Sequence, residues 1–146
     1  MIKVKRIDHV AVAVADRDAA SQSLSSLFGL TAGARETVAS QKTDVAFLHA
    51  DPAGDDAALE ICAPAGNAAL ERFLARRGPG LHHVCFEVED LGGALATLKA
   101  AGVQLIDETP RPGARGHMVA FLHPAATGGV LFELCEPAPA HAGAPA

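Results

Sequence analysis

His9 and His83 stand 74 residues apart in this chain of 146, and Glu60 and Glu133 stand 73 apart. Two imidazoles and two carboxylates form a suitable donor set for a borderline or hard divalent ion such as Co²⁺, Mn²⁺, Ni²⁺ or Zn²⁺. The carboxylates offset the charge of a dication. The residues two positions beyond the histidines, Ala11 and Cys85, are small enough to leave room for water or a substrate. A lone strand histidine is ordinarily structural or exposed, and a lone strand glutamate ordinarily faces solvent. The weighting changes here because both types recur at one spacing, while most other polar positions do not.

The recurrence extends well past four residues. Val45–His49 returns letter for letter as Val119–His123, and Ile7-Asp8-His9-Val10 answers to Leu81-His82-His83-Val84. Asp16 answers to Asp90, Gly29-Leu30 to Gly102-Val103, and Glu60-Ile61-Cys62-Ala63-Pro64 to Glu133-Leu134-Cys135-Glu136-Pro137. Two halves built on one plan follow from such self-similarity. A pseudo-twofold relation between them brings His9, Glu60, His83 and Glu133 together if their four strands line one concave surface.

Each half is expected to read βαβββ, over residues 5–64 and 81–137, within a single α+β domain. In the first strand, Lys5–Val14, Val10, Val12 and Val14 alternate with His9, Ala11 and Ala13, a period of two. Asp16 caps a helix that runs to about Phe28 and stops at Gly29. Strands are expected near Ala34–Val38, at Thr43–Ala50 and, after the turn Asp51–Asp56, at Ala57–Cys62 with Glu60. A linking helix over about Asn67–Arg77 ends at Gly78-Pro79-Gly80. The second half repeats the order: strand Leu81–Val88, a helix from Asp90 to about Ala101, and strands near Val103–Glu108, His117–His123 and Gly129–Glu136. Pro110–Gly116 is expected to be a loop able to approach a ligand, and residues 138–146 a flexible tail in which His141 has no role. His49 and His123 end strands and are assigned structural roles. His82 falls on the opposite face from His83 by alternation, and neither it nor His117 is assigned a function.

Composition narrows the class. Twelve basic residues against 17 acidic ones give a net charge of −5, which argues against a nucleic-acid partner. No apolar run approaches membrane-spanning length and no signal-peptide pattern opens the chain, so a cytoplasmic, membrane-free protein is expected. Three cysteines without a CxxC pair suit a reducing compartment and small buried positions.

Paired βαβββ modules carrying His9, Glu60, His83 and Glu133 resemble the vicinal oxygen chelate superfamily. That superfamily includes glyoxalase I, extradiol dioxygenases and fosfomycin resistance proteins, and its glyoxalase-like fold wraps a curved mixed sheet around a central metal. Within it, Arg76–Val88, Gly102–Arg111, and Phe121–Pro124 with Gly128–Leu134 resemble the methylmalonyl-CoA epimerase family. The likeness covers about residues 6–137. It places His9, His83 and Glu133 on that family's metal positions, and Glu60 where the family carries Gln or Glu. Three stretches depart from the pattern. Ser25–Leu30 stands where an aromatic pair and Leu-Gly-Leu are frequent, Gln41-Lys42-Thr43 replaces Gln-Gly-Val, and Val45 occupies a position where some members carry a second acid–base Glu.

The resemblance implies a metal-dependent isomerase, with Co²⁺ the first expectation, that inverts C2 of an acyl-CoA thioester through a metal-stabilised enolate. A homodimer is implied as well. Glu133 resembles the family's base and Glu60 is the candidate for the opposite face, with Asp44, Glu36 and a metal-bound water as rivals. The loop residues Arg111, Gly113, Arg115 and Gly116 are the expected substrate contacts, the arginines for a carboxylate or phosphate and the glycines for exposed backbone N–H groups. Two alternatives stand beside this. One is a glyoxalase I-type isomerisation or another reaction of the superfamily; the other is a metal-free small-molecule binding protein on the same fold.

Overall fold

A computed structural model describes residues 1–139. The elements alternate as β1 (Val4–Ala13), α1 (Arg17–Phe28), β2 (Thr31–Val38), β3 (Thr43–His49), β4 (Ala58–Pro64) and α2 (Ala68–Arg77) through the first half. The second half continues with β5 (Gly80–Val88), α3 (Leu91–Ala100), β6 (Arg111–Pro112), β7 (Met118–Leu122) and β8 (Leu131–Glu136). The helix boundaries follow from capping chemistry. The Asp16 carboxylate accepts from the backbone N–H groups of Asp18 and Ala19, Asn67 does so for Leu70, and Asp90 for Gly93. Each such cap satisfies donors that the first turn leaves free, a contribution of about 1 kcal/mol. Gly29 ends α1 at φ 66°, a left-handed conformation that costs glycine nothing.

All eight strands form one curved mixed sheet in the order β2-β3-β4-β1-β5-β8-β7-β6. β1 pairs with β4 in parallel, β5 pairs with β8 in parallel, and the halves join through the antiparallel pair β1–β5. This is the expected α+β architecture of two βαβββ modules. α1 packs against β3 and β4, while α3 covers β7 and β8 through Leu91, Ala94 and Leu95 against Ala120, Leu122 and Leu134. With a helix on the outer face of each half, the inner face is left to line a concave surface.

One expected strand needs correction. Val103–Glu108 is not a strand; one isolated bridge joins Leu105 to Leu122, and the edge strand is the short β6 instead. The backbone N–H groups of Ile106 and Asp107 both donate to the Phe121 carbonyl, and the Asp107 carboxylate accepts from the Phe121 N–H. A side chain thus takes the place of a ladder bond. Of the expected tail, residues 138 and 139 have no regular structure, and 140–146 with His141 lie outside the described residues.

Candidate metal and acid–base site

Sheet register explains how four residues from distant parts of the chain meet. Glu60 pairs with Ala11, and Ala11 pairs with His83, so one row across the sheet reads Glu60, Ala11, His83. The neighbouring row reads His9, Cys85, Glu133. Each row therefore takes its imidazole from one half and its carboxylate from the other. A single small residue separates the two, and both rows face the concave side. All four side chains are buried.

The donor atoms converge. His9 Nε2 lies 3.3 Å from His83 Nε2 and 3.3 Å from Glu60 Oε2, and His83 Nε2 lies 3.3 Å from Glu133 Oε2. Ligands bound at about 2.1 Å from one ion are separated by roughly 3.0–3.4 Å, so these spacings fit the edges of a coordination polyhedron. His9, Glu60 and His83 also offer three donors lying within 4.8 Å of one another. Two ring nitrogens facing each other repel unless a proton or a cation lies between them. Residue types, separations and burial together fit a divalent ion.

What orients the rings was not foreseen. Between Ile7 and His9 the β1–β5 register slips by one residue on β1, and between His83 and Leu81 it slips by one on β5. Asp8 and His82 are the extra residues of these two bulges, related by the same pseudo-twofold as the ligands. A bulge re-aims the side chain it carries. Asp8 Oδ2 thus comes within 2.7 Å of His9 Nδ1, and His82 Nδ1 within 2.8 Å of His83 Nδ1. Plain strand alternation, which put His82 on the far face, fails at this point. With the Nδ1 proton of His9 held by a carboxylate, its Nε2 lone pair is turned toward the site.

The duplicated pentapeptide also acquires a purpose. Phe47 pairs across the sheet with Glu60 and Phe121 with Glu133. Their rings meet the edges of His9 at 5.6 Å and His83 at 5.2 Å. Each half thus repeats a wall of one phenylalanine against one histidine and one glutamate. His49 bonds Asp56 through Nδ1, and His123 Nδ1 accepts from the Ala125 N–H, so both strand-end histidines are structural. The three cysteines are free and buried, and the Cys85 thiol donates to Glu133 Oε1 at 3.5 Å.

Electrostatics divides the two carboxylates. Burial pushes Glu60 above the usual carboxylate range, and the nearby imidazoles offset this only in part. Burial acts upward on Glu133 too, but the hydrogen bond and charge of His83, with the charge of His9, hold it below that range. Burial disfavours a charged His9, yet Glu60, the bond that His9 donates to Asp8, and Glu133 raise its pKa. Asp8 resists burial through His9 and Arg115 and stays ionised far into acid. Burial, followed by the charge of His83, lowers His82 to about 4, so its ring is neutral near pH 7.

A cavity of about 440 Å³ opens beside Glu60 and His83, walled by Leu70, Ile106, Phe121 and Leu131, with Lys42 and Arg111 also in its lining. That volume lies within the range of small-molecule sites. On the other side of the ligands, toward Arg115, only about 10 Å³ is free. Of the four expected substrate contacts, only Arg111 faces the larger cavity. The Arg115 guanidinium is ion-paired to Asp8 and sits 4.1 Å above the Phe47 ring. Its backbone N–H donates to Glu36. Gly113 is a packing requirement, since a Cβ there would lie 2.6 Å from the Val119 side chain. Gly116 turns the chain at φ 71° on the surface. The rivals for the second acid–base role are engaged elsewhere: Glu36 with Arg115, and Asp44 as acceptor from Thr37 on the outer side of β3. Val45 is fully buried beside Glu60 and offers no proton acceptor. Among the described residues, Glu60 is the carboxylate that lines both cavities, and Glu133 lines the smaller one.

The family model for the Glyoxalase/Bleomycin resistance protein/Dioxygenase superfamily matches residues 8–121. An uncharacterised Bacillus subtilis protein, YqjC, is 39% identical over 92% of this chain and 94% of its own length. The ethylmalonyl-CoA/methylmalonyl-CoA epimerase of Cereibacter sphaeroides is 33% identical over 90% of this chain and 97% of its own. Among solved structures, the Mycobacterium tuberculosis methylmalonyl-CoA epimerase superposes with a TM-score of 0.87 at 35% identity, over 93% of this chain and 90% of that one.

Proposed function

Because this chain belongs to the glyoxalase/bleomycin resistance protein/dioxygenase superfamily, we propose that it is an isomerase inverting C2 of methylmalonyl-CoA, as the names of its relatives suggest. The observation that carries the reading is the meeting of His9, Glu60, His83 and Glu133 at 3.3 Å spacings beside a cavity of about 440 Å³.

These four residues would hold a divalent ion, Co²⁺ first and Mn²⁺, Ni²⁺ or Zn²⁺ after it. When bound, the ion supplies Lewis-acid stabilisation for negative charge developing on a substrate carbonyl oxygen. The chain's own groups move the proton. Epimerisation removes the C2 proton from one face and returns a proton to the other, so two groups must flank the planar enolate. Glu133 and Glu60 come from opposite halves and approach from opposite sides of the pseudo-twofold axis. Each acts as base on one epimer and as acid on the other. Leu70, Ile106 and Phe121 give the enolate an apolar wall, and Lys42 and Arg111 supply positive charge for the substrate's free carboxylate.

The test is to incubate metal-loaded protein with one methylmalonyl-CoA epimer in deuterated water. Deuterium at C2 and formation of the other epimer, read by coupling to a mutase, are expected; absence of both removes the reading. Methylglyoxal with glutathione serves as the glyoxalase control. Elemental analysis after mild purification, before and after His83→Ala, tests the metal-free alternative. A homodimer and a cytoplasmic location complete the proposal; light scattering on the purified protein checks the first. No helix among the described residues is long and apolar enough to cross a membrane.

A further inference from the structure

A second cavity, of about 540 Å³, adjoins the first and shares Ala69, His82, His83 and Leu131 with it. Its lining holds Arg72, Arg76 and Arg77 from α2 and no carboxylate. The remaining arginines of the chain, Arg6, Arg17, Arg35, Arg111 and Arg115, each lie within ion-pair distance of an aspartate or glutamate. These three are exposed and take no such partner among the described residues. In a chain of net charge −5, three neighbouring unpaired arginines on the wall of one cavity are a selective arrangement. Basic residues in a last turn complement the helix dipole, which accounts for Arg76 and Arg77 but not for Arg72, one turn earlier. Arg72 and Arg76 are neighbours on the helix surface, and their mutual repulsion is relieved by an anion between them. Arg77 is set over the Phe73 ring at 5.6 Å, and Phe73 in turn meets the edge of His82 at 4.9 Å, beside the ligand His83.

We propose that this face of α2 is a phosphate subsite that holds the nucleotide end of the CoA thioester while the acyl end lies beside His83. The inference rests on the acyl-CoA reading above. It relocates phosphate recognition from the Pro110–Gly116 loop, where Arg115 is committed to Asp8, to the linking helix. Guanidinium groups bind phosphate through paired N–H donors, and a CoA carries a diphosphate and a ribose phosphate to meet them.

Calorimetry with propionyl-CoA and with S-propionyl-pantetheine, which lacks the nucleotide, tests this on the metal-loaded protein. In the Arg72→Glu/Arg76→Glu variant, propionyl-CoA should bind at least about tenfold more weakly, while the pantetheine thioester binds as it does to the wild type. Wild-type affinity for the CoA form should also fall as salt rises. Adenosine 3′,5′-bisphosphate should compete for the site; equal competition by inorganic phosphate would overturn the nucleotide assignment. Circular dichroism and metal content should be unchanged in the variant. The subsite is overturned if the variant binds propionyl-CoA like the wild type, or if both thioesters weaken together. Because binding is read without turnover, arginine-dependent CoA binding with no epimerisation removes the reaction and keeps the subsite. Epimerisation with unchanged binding does the reverse.

Discussion

In the first half of the molecule, the ring of His9 is anchored at Nδ1 by Asp8, an anion whose charge is shared with Arg115. In the second half, the ring of His83 meets at the same place the neutral ring of His82. The two supports sit on matching bulges and precede matching ligands, so the backbone device is duplicated and the chemistry is not. On the proposed reading, the difference separates what an ion would demand from what the fold merely permits. Four donors must keep their spacing, and they are the residues retained in both copies. The groups behind them need only present a lone pair in the right direction, and they have diverged. The asymmetry also ties the halves together, because the cation supporting the first half's Asp8 comes from the second half's loop.

If the ligands are equivalent and only their supports differ, His9→Ala and His83→Ala should be equally damaging. Each should abolish stoichiometric metal and lower C2 exchange by about a thousandfold or more. Elemental analysis and deuterium wash-in check this; a variant that kept its metal would break the equivalence. The carboxylates should be complementary instead. Glu60→Gln and Glu133→Gln are each expected to lose about 10²–10⁴ in inversion, with exchange surviving in one epimer for the first variant and in the other epimer for the second. Following exchange separately from each epimer decides it, and loss from the same epimer in both variants defeats the two-sided arrangement.

The supports should then part company. Asp8→Asn removes the anion that fixes the His9 tautomer, and metal affinity should fall about 10–100-fold. His82→Gln, which can still offer a polar partner to His83, should change affinity by a few-fold at most. Chelator competition measures both. Equal losses would mean that the ring orientation, and not the charge behind it, is what matters.

Much of this was legible in the chain. The caps at Asp16 and Asp90 and the stop at Gly29 are local rules, readable from a few neighbouring residues. The convergence of His9, Glu60, His83 and Glu133 was legible because duplication marked them. Asp8 and His82 were not, because a bulge is set by how two strands 74 residues apart slide against each other, and periodicity within one strand cannot report it. A weak signal existed: both copies carry two consecutive polar residues, Asp8-His9 and His82-His83, directly before an apolar run, which plain alternation does not explain. Arg115 escaped for a related reason. Its partner Asp8 lies 107 residues away, and a Pro/Gly-rich loop gave no hint that its guanidinium would be drawn onto Phe47. The edge strand was misplaced because the Asp107 side chain substitutes for a backbone partner.

Smaller effects test whether the halves also differ outside the four donor residues. Phe47→Leu and Phe121→Leu should each cost about 1–2 kcal/mol of stability from the cavity left beside a histidine, measured by denaturant unfolding of the metal-free protein. The smallest effect concerns the two strand-end histidines. His49 bonds the half-buried Asp56, whose carboxyl is held below its ordinary range first by that bond and then by the N–H groups of Ala50 and Asp51; His123 bonds only a backbone N–H. A carboxyl with a depressed folded-state pKa contributes stability above its unfolded pKa and loses it as pH falls through the folded value. The melting temperature of wild type should therefore exceed that of Asp56→Asn at pH 7, and the gap should close below about pH 4. His123→Gln, which removes only an acceptor for the Ala125 N–H, should lower the melting temperature at pH 7 by less than Asp56→Asn does. Should the Asp56→Asn gap persist unchanged into acid, the Asp51–Asp56 turn is held by its backbone geometry and not by the charge of its carboxylate.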